Sequence, residues 1–155
     1  MCKTAVINID DEYGKRLAQE FSDIAVTYSA EGIADYHAEF IRMNATGCSY
    51  MLVNEREKTA CRVDMNMTGL YNVQNSLCAI AMVAALGFDM TECAKALSDL
   101  DGVDGRMNVV YRGDFTVITD YAHTDDALIK VLSTLKPLTK GRLICVFGAA
   151  GDRDK

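Results

Sequence analysis

Asp120, Tyr121, Ala122, His123 and Thr124 place a carboxylate, an imidazole and a hydroxyl within five consecutive positions. They follow an apolar, β-rich run at 115–119 and open a run with helical spacing at 125–136. Open α/β sheets gather ligands where strands end and helices begin, because free N–H groups and the helix dipole meet there. At such a place Asp120 can accept from ribose hydroxyls and His123 can reach a phosphate, although a lone histidine can equally be structural. Thr124 can serve as a helix N-cap, a role that also leaves it near anions. Asp125 suits the dipole of the first helical turn, yet its charge would repel a nearby phosphate. A second junction of the same kind follows at 147–154, where Phe147-Gly148-Ala149-Ala150-Gly151 runs into Asp152, Arg153 and Asp154.

Two further groups have chemistry to offer. Asn72 and Asn75 lie three apart on a stretch with helical spacing, so both amides can project to one side. An amide carries a donor and an acceptor, which matches the edge of adenine, but the same pair could pin loops near a helix start. Arg106 follows Gly105, and a planar guanidinium can stack on a base and fork onto phosphate. Pairing with Asp101 or Asp104 at the surface is its other reading.

The elements that must position these groups alternate. A β-rich run at 4–9 leads to a polar helix at 11–21 and a buried strand at 24–28. Residues 34–41, 49–54 and 59–67 alternate or are β-rich between polar turns, which predicts an antiparallel meander. Within it His37 is expected to face solvent. Leu70, Val73, Leu77, Ile80, Ala81 and Ala84 recur at helical spacing up to Gly87, and a second helix is expected with Thr91 as its cap. Two glycines and two acids at 101–105 suggest a hinge. Strands at 107–112 and 115–119, a helix at 125–136 ended by Pro137, and a strand at 143–147 complete the series. The order predicts an α/β chain in two pieces, 1–104 and 105–155, the second too short for a doubly wound sheet. A fragment of a longer enzyme is therefore expected.

Composition narrows the partners. The net charge is −6, with half the residues hydrophobic and a quarter charged. Nucleic-acid binding needs Lys and Arg in excess, and anionic membranes demand the same, so small molecules are the favoured partners. Cys2, Cys48, Cys61, Cys78, Cys93 and Cys145 contain no C-x-x-C spacing, and two histidines are too few to complete zinc sites around them. Reduced thiols in a cytoplasmic protein are the expectation. No metal site is expected, and the G-x-x-x-x-G-K-[ST] phosphate loop does not occur.

The motifs carry a resemblance as well. DYAHT at 120–124, FGAAGDRD at 147–154, the Gly105-Arg106-Met107 turn, AVINIDD at 5–11 and GLYNVQNSL at 69–77 resemble, in order and spacing, the Mur ligase family. The branch that adds the third amino acid of the peptidoglycan stem matches best. Asp125 stands where that family usually has proline, and Ala149-Ala150 where Cys-Gly is common. The resemblance implies the second half of a central ATPase domain with a β appendage, followed by the start of a Rossmann-like C-terminal domain. It implies ATP and magnesium, held mainly by residues outside this chain, and an amide ligase that joins a diamino acid to UDP-N-acetylmuramoyl-L-Ala-D-Glu. Within that frame Asn72, Asn75, Arg106, Asp120 and His123 fall on the nucleotide, while Thr124, Asp152 and Arg153 fall on the phosphate and substrate side. The resemblance assigns no catalytic residue, and it implies no activity for this stretch alone. Uncovered sheet edges could let it self-associate. Cyanophycin or folylpolyglutamate synthetases, or a non-catalytic nucleotide-binding module, are the alternatives.

Overall fold

The structure, a computed structural model, describes residues 2–148. Its first element is the short strand β1 (Ala5–Asn8), which hands the chain to helix α1 (Glu12–Glu20). Asp11 caps α1 by accepting from the Gly14 N–H, with Glu12 in the first turn where the dipole favours an acid. Gly14 lets α1 lie against β1: a Cβ there would sit 1.7 Å from the Asn8 carbonyl oxygen. The chain returns as β2 (Ala25–Ser29), parallel to β1 with Ala5 opposite Ala25.

The alternating region forms β3 (Tyr36–Asn44), β4 (Gly47–Asn54) and β5 (Thr59–Met65). All three pair as the expected meander, with a bulge between Glu39 and Arg42. The meander is not a detached layer, because Tyr28 and Ser29 of β2 pair in parallel with Tyr36 and His37. One sheet of order β1-β2-β3-β4-β5 results. This join also buries His37, against expectation: it is 3% exposed, and its Nδ1 lies 3.1 Å from the Ala34 carbonyl oxygen. Strand alternation alone does not reveal which face a neighbouring strand will cover.

Helix α2 (Leu70–Ala85) lays the predicted apolar stripe on the sheet, so that Val73, Leu77 and Ile80 meet Tyr50, Leu52 and Val63 in the core. Gly87, at φ 93°, stops the helix, and Phe88 N–H reaches back to the Val83 carbonyl. Helix α3 (Met90–Ser98) then starts two residues earlier than expected. Its cap is Asp89, which accepts from Thr91 and Glu92 N–H, so Thr91 is a first-turn residue. An ionised carboxylate makes a stronger cap than a hydroxyl two positions on.

Beyond residue 104, β6 (Asn108–Arg112) and β7 (Thr116–Thr119) form an antiparallel hairpin, followed by α4 (Asp125–Leu138). Pro137 lies inside the last turn of α4 rather than ending it. The strand expected at 143–147 does not form among the described residues. That run has the composition of a buried strand, but a strand exists only through a ladder partner, and none is present among the described residues.

Candidate functional site

Asp120 is the first residue past β7, and its carboxylate turns back onto the chain. Oδ2 accepts from Met107 N–H at 2.9 Å and Oδ1 from Ala122 N–H at 2.8 Å. Tyr121 N–H donates to the Gly105 carbonyl at 2.8 Å. These three bonds fasten the 105–107 turn to the end of β7. Gly105 enters the turn at φ 70°, which glycine adopts freely, and Met107 follows at φ 50°, which costs a side-chain residue about 1 kcal/mol. Burial of Met107, 2% exposed, and its bond to Asp120 hold that conformation.

Arg106 is exposed between them, its guanidinium 5.9 Å from the centroid of the Tyr121 ring. It pairs with neither Asp101 nor Asp104 among the described residues; Asp104 instead accepts from the Asn108 amide. His123 Nδ1 lies 2.8 Å from the Tyr121 carbonyl, which can only accept, so the proton sits on Nδ1 and Nε2 faces outward as an acceptor in the neutral ring. Thr124 is the N-cap of α4, accepting from Ala127 N–H at 3.3 Å. Asp120, His123 and Thr124 line a groove of about 900 Å³, walled by Leu128, Leu132 and Leu135 of α4 and by residues 143–148. Asp152 and Arg153 lie outside the described residues.

The start of α2 separates the two asparagines. Asn72 is buried and donates to the Thr68 carbonyl at 2.8 Å, which is the loop-pinning role, whereas Asn75 is exposed. Gly69, at φ 107°, brings the Tyr71 ring so close that a Cβ would meet its Cε1 at 2.8 Å. The Tyr71 hydroxyl and the Thr68 Oγ1 are buried without a hydrogen-bond partner. Burial pushes the Tyr71 phenol up to about 12; the Asp120 charge adds to the rise and Arg106 opposes it. Tyr71 therefore connects α2 electrostatically to the Asp120 turn, a link invisible in one dimension. Its only sequence signal was adjacency to Asn72.

A second polar cluster lies at the ends of β1 and β2. The Asp10 carboxylate accepts from the Ser29 hydroxyl, from Gln74 Nε2 at 2.7 Å, and from the N–H groups of Ala30 and Glu31. Burial would raise this carboxyl, but those donors outweigh it and hold the group below the usual range. Asp10 thus ties both strand ends to α2, a structural role for the acid of the AVINIDD segment. Arg106, Asp120, His123 and Thr124 meet around one turn, with Asn75 on a separate helix.

Comparison with known proteins accounts for both regions. The Mur ligase middle domain matches residues 1–83, and the Mur ligase glutamate ligase domain matches residues 105–155. The chain is 39% identical over 156 residues to UDP-N-acetylmuramoyl-L-alanyl-D-glutamate–2,6-diaminopimelate ligase 1 of Clostridium acetobutylicum, covering 99% of this chain and 32% of that protein. A solved structure of a ligase of the same name superposes with a TM-score of 0.71 at 35% identity, over 98% of this chain and 32% of that one. MurF from Acinetobacter baumannii superposes with a TM-score of 0.76 at 21% identity over 89% of this chain and 30% of that one, which shows a shared fold. The chain spans about a third of the length of the curated relatives it matches. With residues 1–83 and 105–155 matched in order, the chain belongs to the Mur ligase family.

Proposed function

We propose that this chain forms the base-and-ribose side of the ATP site in a cytoplasmic ligase of peptidoglycan precursor synthesis. The reaction joins a diamino acid to UDP-N-acetylmuramoyl-L-Ala-D-Glu. Support comes from relatives named for addition of 2,6-diaminopimelate. The γ-carboxylate of the substrate's D-glutamate attacks the terminal phosphorus of ATP, giving an acyl phosphate and ADP. The incoming amine then attacks the acyl carbon, forming the amide and releasing phosphate. Residues 1–104 belong to the central nucleotide-binding domain and residues 105–155 to the C-terminal domain, with the glycine-rich 101–105 stretch as the hinge between them.

The observation that carries this reading is the turn in which Arg106, Asp120 and His123 converge at the start of a groove. The Arg106 guanidinium lies within cation–π reach of the Tyr121 ring, and such a group can also stack on a purine. Asp120 keeps free lone pairs for ribose hydroxyls after its two backbone bonds. His123 presents Nε2, Thr124 lies at the positive end of α4, and the 152–153 loop takes the phosphate and amino-acid side. Asn75 meets the base, and Asn72 holds the helix start that presents it. Among the described residues no three potential ligands cluster for a metal ion, so magnesium is assigned no ligand here and no step is derived through it.

Titration of the chain with ADP by calorimetry tests the site. Binding weakened several-fold by Asp120→Ala and by Asn75→Ala is expected, and binding indifferent to both would overturn the assignment.

A further inference from the structure

The Tyr71 ring is held in place by shape. It lies across Gly69, where any Cβ would strike it, and it belongs to the first turn of α2. A phenylalanine would fill the same volume, so packing does not require the hydroxyl. Burying a hydroxyl without a partner is unfavourable, yet the Tyr71 oxygen is buried and unpartnered. The charges acting on it belong to Asp120 and Arg106, across the junction between the two family segments. Only one of these can accept a proton. The Asp120 oxygens each take one backbone N–H and keep further acceptor capacity.

We propose that Tyr71 is a positioning residue for Asp120, its hydroxyl donating to the Asp120 carboxylate when the 105–124 turn settles onto the start of α2. The bond would orient the carboxylate that the nucleotide reading assigns to the ribose, and the inference rests on that reading for its purpose. It ties the helix carrying Asn75 to the turn carrying Arg106, so the base and sugar contacts become one rigid shelf. Rigid placement lowers the ordering cost of binding.

The test uses the 155-residue chain carrying ring-labelled tyrosine, with Tyr71→Phe identifying the Tyr71 signals by NMR. With ADP present, a slowly exchanging, downfield Tyr71 hydroxyl proton is expected, and Asp120→Asn should move it upfield. A hydroxyl signal insensitive to Asp120→Asn overturns the proposal. In parallel, Tyr71→Phe should weaken ADP binding roughly fivefold, about the fold-change of one ordinary hydrogen bond. It should have no further effect in the Asp120→Ala background, because that change removes the acceptor of the same bond. Independent, multiplying effects overturn the proposal. If the chain binds no ADP but the hydroxyl still responds to Asp120→Asn without it, the nucleotide reading fails and the Tyr71–Asp120 pair stands.

Discussion

Asp120 holds the candidate site together before any ligand arrives. Its two backbone bonds constrain Met107 and Ala122, so Asp120→Ala should leave two donors unpaired and cost this segment about 2 kcal/mol. Amide hydrogen exchange at Met107 and Ala122 is expected to accelerate at least tenfold, with amides in β4 unchanged; protection retained at both would contradict this. A different carboxylate, Asp35, contributes to the acid response. For Asp35, burial raises the carboxyl, but bonds from Arg56 and Thr27 overcome that and hold it below its ordinary value of 3.8. A lowered folded-state pKa contributes stability that is complete above the unfolded value and is lost as pH falls through the folded one. Asp35→Asn should therefore cost about 1 kcal/mol near pH 7, a modest figure because Arg56 is half exposed, and flatten the stability curve below about pH 4. Urea unfolding at pH 3 and pH 7 would show it; equal losses at both would remove Asp35 from the account.

Elements differ in how firmly they are seated. Helix α2 packs against β1, β2 and β3, and Leu77 on it is fully buried, so Leu77→Ala should cost roughly 2–5 kcal/mol. Gly14→Ala should cost about 3 kcal/mol, since its Cβ would collide with the Asn8 backbone and separate α1 from β1. Helix α4 buries only Leu135, so alanine there should cost less than at Leu77. Thermal melts of the three variants should rank in that order, and a larger drop for Leu135→Ala than for Leu77→Ala would mean the core has been misplaced. These contrasts were only partly readable beforehand. Apolar periodicity located α2 and the meander, because burial imposes a 3.6 or 2 residue period on any sequence. It could not tell that β3 joins β2, nor that residues 143–147 lack a partner among the described residues, since pairing is a property of two segments.

The whole molecule exposes apolar surface on both sides of residues 101–105. Tyr13, Leu17 and Phe21 recur every four residues along α1 at 80%, 46% and 45% exposure, and Ile144, Val146 and Phe147 are open at the other end. The outer edge of β1 has no neighbouring strand among the described residues. Unpaired edges and apolar stripes template association, so the isolated chain should dimerise or form larger species at micromolar concentration. Sedimentation equilibrium giving a monomer throughout would refute this. Nucleotide binding should be weak, around millimolar, because base and ribose contacts alone supply little more than about −4 kcal/mol. Phosphate release from ATP should stay at background, since phosphoryl transfer needs a phosphate cradle, a lysine and magnesium held together. Steady turnover by the purified chain would overturn that.

Residue order alone settled the family and the succession of helices and strands as far as α4, because hydrophobic period and motif spacing are one-dimensional properties. Tertiary structure decided what each polar side chain does. It turned Asn72 inward onto Thr68 while leaving Asn75 exposed, although both sit on one helix three residues apart. A helix advances 100° per residue, so that spacing leaves them 60° apart, enough to straddle the boundary between core and solvent. It also used Asp120 as a backbone clamp, buried His37 beneath a strand join, and brought Tyr71 under the charges of Asp120 and Arg106. Each of these depends on which distant segment supplies the neighbouring surface, and sequence separation carries no distance in space.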